Sequence, residues 1–223
     1  MASETATTVA SLQPNNYPVN LVVSGRRCLV VGGGNVALRK TRGLVAADAL
    51  VTVVAPEITS ELRMLEGVRL HARPYERGEV ASYWLAITCT DDRAVNAQVF
   101  RDAEAAGVWA NSADDPVNCA FTLPAVARQG HLQLAISTAG KSPALASWLR
   151  KRFENEFDER WATLLDVLAD VRQEARDDLG TSEVSGWDQA LDDGVFDLVC
   201  AGELEAARSQ LRQHLGLTAV ARA

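Results

Sequence analysis

The stretch Arg27-Cys28-Leu29-Val30-Val31-Gly32-Gly33-Gly34-Asn35-Val36-Ala37-Leu38-Arg39-Lys40 decides the fold. Arg27 to Val31 is a short apolar run that stops at three glycines. A run apolar on both faces fits a central strand of a parallel sheet, covered from both sides. From Asn35 to Ala47 the chain carries Val36, Leu44 and Val45, with Arg39, Lys40 and Arg42 between them. That pattern reads as a helix with one wet face. Between strand and helix, Gly32-Gly33-Gly34-Asn35-Val36-Ala37 matches GxGxxA. The first glycine of such a loop permits a tight turn, the second lets backbone approach a diphosphate, and the small Ala37 lets helix and strand pack closely. The helix start then presents free N–H groups and a positive partial charge to phosphate. The strand–turn–helix context makes so short a motif informative. The competing reading is a tight turn in an α/β protein that binds no nucleotide.

Working outward, Leu50 to Ala55 is a second strand cut by Pro56, and 58–66 a helix that Gly67 ends. Residues 68–73, 84–88 and 108–111 read as further strands. A helix over 93–106 closes at Gly107, a natural C-cap. Parallel strands need crossover helices, so the alternation from 27 to about 115 predicts a doubly wound α/β domain. The pattern then changes. Phe121 to Ala127 and His131 to Ser137, separated by Arg128, Gln129 and Gly130, read as a hairpin. Ser142 suits an N-cap and Pro143 the first helical position. Residues 143–178 read as helix with a break near Phe157-Asp158, and 187–214 as one or two more helices after a loop with Gly180 and Gly186. The predicted fold class is α/β: a Rossmann-type doubly wound parallel sheet, then a β-hairpin segment, then a C-terminal helical domain. The predicted divisions are a flexible tail 1–16, a dinucleotide-binding domain 17–118, the hairpin segment 119–150 and helices 151–223.

The chain has 223 residues, 48% hydrophobic and 23% charged, which is ordinary globular usage. Disordered, collagen-like and disulfide-dense classes are excluded. A net charge of -7 makes nucleic acid and anionic membrane poor partners. No apolar run approaches the roughly 18 residues of a membrane span. The cysteines Cys28, Cys89, Cys119 and Cys200 form no CxxC pair and read as reduced thiols. His71, His131 and His214 stand far apart, so no metal site is expected. Met1 to Asn16 has neither a basic n-region nor an apolar h-region; a loose tail and a cytoplasmic location are the expectations.

The second strand should end near an acid that holds the adenosine ribose. The first acid is Glu57, one residue past Pro56, and it equally suits a first-turn acid stabilising its own helix. No Arg or Lys follows at once, Arg63 being the nearest, which favours NAD over NADP. Thr90-Asp91-Asp92 follows the fourth strand and Asn111 to Pro116 the fifth. Ligands of open α/β sheets sit beyond the carboxyl ends of strands, so Thr90 and Asn111 are placed to face cofactor or substrate. Asp91 and Asp92 equally suit helix capping, and Asp114 an Asx-turn before Pro116.

With these pieces in hand, the chain resembles the precorrin-2 dehydrogenase family, the dehydrogenase and often ferrochelatase part of siroheme synthase. The likeness runs from Tyr17-Pro18 to about Ala175. It rests on Val30 to Lys40, Val51 to Pro56, Trp84 to Ile87, Thr90-Asp91-Asp92, Asn96, Asn111 to Pro116, and Ser137-Thr138-Ala139-Gly140-Lys141-Ser142-Pro143-Ala144-Leu145-Ala146. The resemblance implies NAD-dependent oxidation of precorrin-2 to sirohydrochlorin, and in some members metal insertion. It implies a homodimer built through the segment after the Rossmann unit. It also implies that Asp114 is the catalytic carboxylate and that Asn35, Val36, Pro56 and Glu57 contact NAD. A carboxylate-rich substrate would need local cations on so acidic a protein. Arg128 and Lys141, with Ser142 beside it, are the candidates; the run Arg150-Lys151-Arg152 equally suits a solvated face.

Three features depart from the family. Asp48 stands where a glycine usually ends the first helix, at little cost because aspartate tolerates the left-handed region. Thr138 replaces a serine that some members phosphorylate. Residues from about 180 match nothing, and no methyltransferase domain follows, so methylation is expected of another protein. Two other readings stay open: an NAD-sensing regulatory module with a helical partner-binding domain, and a dehydrogenase of a small acid.

Overall fold

The computed structural model describes residues 16–113, 115 and 118–217. They fall into two compact units, Asn16–Leu123 and the chain from Pro124 on.

The first unit is built on a five-stranded parallel sheet. β1 (Arg27–Val31) lies at its centre, flanked by β2 (Leu50–Ala55) and β4 (Leu85–Thr88); β3 (Arg69–Ala72) and β5 (Trp109–Ser112) form the edges. The order is β3-β2-β1-β4-β5. Side chains alternate across a strand. Cys28 and Val30 therefore join the core under α1 (Asn35–Val45), with Val53, Leu44 and Leu62. Leu29 and Val31 join the other core, with Val54 and with Val99 and Ala103 of α3 (Arg93–Ala106). Each such burial is worth about 1.5–3 kcal/mol, and burial on both faces explains why the strand sequence shows no polar alternation.

The chain returns from β3 to β4 across β1, so the loops after β1 and β4 diverge and leave a crevice at the carboxyl ends of the strands. The ends of the elements follow local chemistry. Gly107 closes α3 with φ +67°, and Asp48 adopts φ +57° before β2, the left-handed region that aspartate tolerates. α2 (Ser60–Arg63) is shorter than the 58–66 reading, because the Thr59 amide donates to the Gly33 carbonyl at 3.0 Å and Ile58 is buried, which holds the chain extended up to Thr59. A 3-10 turn, Glu79–Ser82, has no counterpart in the sequence reading.

The second unit opens with the antiparallel hairpin of β6 (Ala125–Gln129) and β7 (Leu132–Ile136). The predicted hairpin is present but shifted. Phe121 to Pro124 are not strand: Pro124 has no N–H to give a ladder, and the Phe121 carbonyl accepts from Asn111 Nδ2 at 2.8 Å. Arg128 and Gln129 are strand residues, leaving a two-residue turn at Gly130-His131. Gly130 has φ +56° at the first central position and His131 is not left-handed, the pattern of a II′ turn.

α4 (Pro143–Glu156) packs on this hairpin. As predicted, Ser142 caps it, accepting from the Leu145 amide at 3.2 Å. The predicted break is also present: Phe157 leaves the helix and Asp158 caps α5 (Glu159–Leu179). Leu164, Val167, Val171 and Ala175 form one stripe of α5, spaced by three or four residues. The stripe packs against α6 (Trp187–Ala190), a segment Leu191–Val195 kinked at Gly194 (φ +95°), α7 (Phe196–Cys200) and α8 (Leu204–His214). A ladder of rings, Phe153, Phe157, Trp161 and Phe196, runs across the α4–α5 break with centroid spacings of 5.6, 4.7 and 4.4 Å.

Candidate dinucleotide-binding site

The three glycines leaving β1 have three different neighbours. Gly32 has φ +131°, donates to the Val54 carbonyl at 3.0 Å, and a Cβ on it would stand 2.7 Å from the Cys89 carbonyl oxygen. At Gly33 a Cβ would overlap the Glu57 carbonyl oxygen and come within 2.9 Å of its carbon. Gly34 is exposed, and among the described residues no atom beyond its chain neighbours lies within 4 Å of where a Cβ would be. Two glycines are thus held by protein backbone, while the third faces open space. Gly34 is also the N-cap of α1, and it brings no side chain to the first-turn amides, nor does that turn hold an acid. A helix start left uncapped and unopposed suits an anion. Ala37, fully buried, permits the close packing of α1 on the sheet. These residues fit the diphosphate of a dinucleotide.

The loops from β2 and β4 flank this cradle. Pro56 and Glu57 are exposed at the end of β2, the Glu57 backbone lying over Gly33. Arg63 turns back to this loop, its Nε donating to the Ile58 carbonyl at 3.2 Å. Thr90, after β4, is half-buried and bonded to Asn96 through its amide, hydroxyl and carbonyl. Of the two aspartates that follow, Asp92 is the α3 cap, accepting from Ala94 at 2.8 Å and Val95 at 3.3 Å. Asp91 is exposed. Cys89, the first residue after β4, has its thiol pushed up to about 11 by burial, which the charges of Lys40 and Arg39 only partly oppose.

Asn35 is exposed and Val36 half-buried in the first turn of α1. Asn111, at the end of β5, is buried, and its amide group donates to the Phe121 carbonyl. The Cys119 thiol gathers the same loop, donating toward the carbonyls of Ser112 and Asp115 at 3.3 Å each. Asp114 lies outside the described residues. Gly32 to Gly34, Asn35, Pro56, Glu57 and Thr90 therefore gather at the carboxyl edge of one sheet. Arg128, Lys141 and Ser142 belong to the second unit, where Arg128 bonds Gln133 at 3.3 Å, Lys141 is exposed and the Ser142 amide donates to Thr138 Oγ1 at 3.1 Å. Two residues have a role that the sequence reading did not give them: Gly33 was read as a cofactor contact, and Asn96 only as part of the family likeness. Gly33 occupies a free position of the motif and needs a contact across to β2 to be recognised. Asn96 has a readable signal: it is the one polar member of the buried stripe Asn96, Val99, Ala103 of α3.

Comparison with known proteins agrees with this geometry. Residues 19–125 match a family model described as "Putative NAD(P)-binding", and residues 129–156 one described as "Sirohaem biosynthesis protein central". The chain is similar in sequence to siroheme synthases. It is 34% identical over 212 residues to a siroheme synthase of Photorhabdus laumondii, covering 89% of this chain and 43% of that protein. A siroheme synthase of Pseudomonas aeruginosa is 36% identical over 199 residues, with 86% and 43% covered. The chain thus spans less than half the length of these siroheme synthases. The fold is that of a solved structure of SirC, a precorrin-2 dehydrogenase, with a TM-score of 0.63, 24% identity, and 90% of this chain and 98% of that chain covered. Among the described residues no helix is long and apolar enough to cross a membrane.

Proposed function

We propose that this chain oxidises precorrin-2 to sirohydrochlorin with NAD as the oxidant. The observation that carries the reading is the cradle at Gly34 in a chain similar to siroheme synthases: an open, uncapped helix start beside the acid at the end of β2. Bound nicotinamide supplies the hydride acceptor. The chain's own residues do the rest. The amides of α1 hold the diphosphate, with Asn35 and Val36 beside it. Pro56 and Glu57 hold the adenosine end, the acid favouring NAD over NADP. Thr90 and Asn111 edge the cleft. Asp114 takes the proton that leaves the substrate with the hydride, a role worth typically about 10²–10⁴-fold. Lys141, Ser142 and Arg128 receive substrate carboxylates. The same carboxylate would take up pyrrole protons if metal is inserted.

The hairpin segment 119–150 is proposed as the dimerisation element. Both edges of the β6–β7 ladder lack a further strand among the described residues, and α4 leaves Leu145 and Trp148 47% and 55% exposed. The enzyme is proposed to work in the cytoplasm.

Mixing the full chain with precorrin-2 and NAD tests the reading. NADH absorbance should rise, and Asp114→Ala should abolish the rise while NAD still binds. NAD binding without turnover would put the NAD-sensing reading in its place. Running the assay with and without Fe²⁺ separates oxidation from metal insertion.

A further inference from the structure

Asn96 is 4% exposed, on the face of α3 otherwise filled by Val99 and Ala103. A polar side chain on such a face is costly unless bonded. Its bonds all go to one residue. Asn96 Nδ2 donates to the Thr90 carbonyl at 2.8 Å, and its Oδ1 accepts from Thr90 Oγ1 at 2.8 Å and from the Thr90 amide at 3.3 Å. One amide group thus serves both backbone polar groups of Thr90, as a neighbouring strand would. The preceding residue, Cys89, is tied on the opposite side: its amide donates to the Val31 carbonyl at 2.8 Å, and its carbonyl is the group that Gly32 must clear. The turn after β4 is therefore held between α3, through Asn96, and the glycine loop, through Gly32.

We infer that Asn96 is the positioning residue of the dinucleotide site, fixing Cys89 and Thr90 as the wall opposite the glycine cradle. The inference rests on the reading of that cradle as an NAD site. Without the Asn96 amide, the Thr90 carbonyl and amide lose their partners. Unpaired polar groups at this half-buried position are costly enough that the turn would open toward water. The wall against Gly32 then moves, and NAD binding weakens with it. Asn96 touches neither reactant, so its effect belongs in affinity and KM for NAD, with kcat at saturating NAD little changed.

The test is calorimetric titration of NAD into the full-length chain, with thermal melts of the same samples. Asn96→Ala is compared with Val99→Ala, which opens a cavity one turn along the same helix. The inference expects Asn96→Ala to weaken NAD by about tenfold or more, and Val99→Ala, despite a comparable loss of melting temperature, to stay within about twofold. Asn96→Asp keeps the acceptor for the Thr90 amide and hydroxyl but sets a carboxylate oxygen against the Thr90 carbonyl, so its affinity should fall at least as far as that of Ala. If Asn96→Ala does not fold, Asn96→Asp decides by the same comparison. Binding within about twofold of wild type in the folded Asn96 variant, or equal weakening in Val99→Ala, overturns the inference and leaves the site reading intact. A wild-type chain that takes no NAD overturns both.

Discussion

Replacing two adjacent glycines by alanine should separate folding from binding. At Gly33 the new methyl would overlap the Glu57 carbonyl oxygen and lie 3.0 Å from the Ala55 Cβ. Both obstacles are held fast, one by backbone and one by a core strand. The loop after β2 must retreat by about 1 Å, an overpacking cost of about 1–3 kcal/mol. The retreat also strains the Thr59 to Gly33 hydrogen bond, worth about 1 kcal/mol. Together these predict a loss of about 2–4 kcal/mol. For a domain near 100 residues, each kcal/mol lowers Tm by about 4–8 °C, so Gly33→Ala should melt about 8–30 °C below wild type. At Gly34 the backbone is extended, with φ -91° and ψ -167°, and a methyl meets nothing. Gly34→Ala should therefore melt within a few degrees of wild type, since only the preference of an N-cap for glycine over alanine is lost. Its methyl enters the space assigned to the diphosphate, so NAD affinity should fall by about 10–100-fold, the equivalent of about 1.4–2.7 kcal/mol. Melting curves and NAD titrations on the two purified variants decide the matter. A Gly34→Ala protein that binds NAD as wild type does would refute the placement of the diphosphate. A Gly33→Ala protein of unchanged Tm would refute the packing argument.

Asp92→Ala should cost about 1 kcal/mol, as loss of an N-cap does, and leave NAD affinity within about twofold, because its carboxylate is spent on Ala94 and Val95. The His214 ring faces two acceptors, the Gln210 carbonyl at 2.9 Å and the Asp193 carboxylate at 2.8 Å, and these raise its pKa. A raised folded-state pKa stabilises below the ordinary imidazole value of about 6.5, and the gain disappears as pH rises through the folded value. The Tm difference between wild type and His214→Ala should therefore be largest in mild acid and shrink above that range; a constant difference would contradict the assignment. Thiol labelling near neutral pH should modify exposed Cys200 first, since burial pushes the Cys28 and Cys89 thiols up to about 11. Fast labelling of Cys89 in the folded chain would contradict the packing of Gly32 against it.

The first unit was legible because its signals are local and agree with one another. β1 and β2 have the predicted ends, since a two-faced apolar run is bounded by glycines or by Pro56. α3 has them because Asp92 caps it and Gly107 closes it. The α4–α5 break at Phe157-Asp158 was legible for the same reason, an N-cap aspartate inside a helical pattern. The hairpin register was not. Phe121 looks like a strand residue, yet its carbonyl is taken by Asn111, ten positions earlier. Such a contact leaves no periodic trace. α2 was overestimated for a similar reason, since Thr59 is drawn to Gly33 across the loop. At the site, the sequence pointed to Gly32, Gly33 and Gly34 alike, though the motif gives a reason only for Gly32 and Gly34. The work of Gly33 and Asn96 depends on which carbonyl stands opposite, and only the folded chain supplies that.

A crystal of this chain grown or soaked with NAD is the most direct measurement. The account predicts the diphosphate at the start of α1, its oxygens within hydrogen-bond distance of the first-turn amides and in van der Waals contact with Gly34, with Glu57 at the adenosine ribose. Dinucleotide density elsewhere, or a diphosphate held away from Gly34, would contradict it.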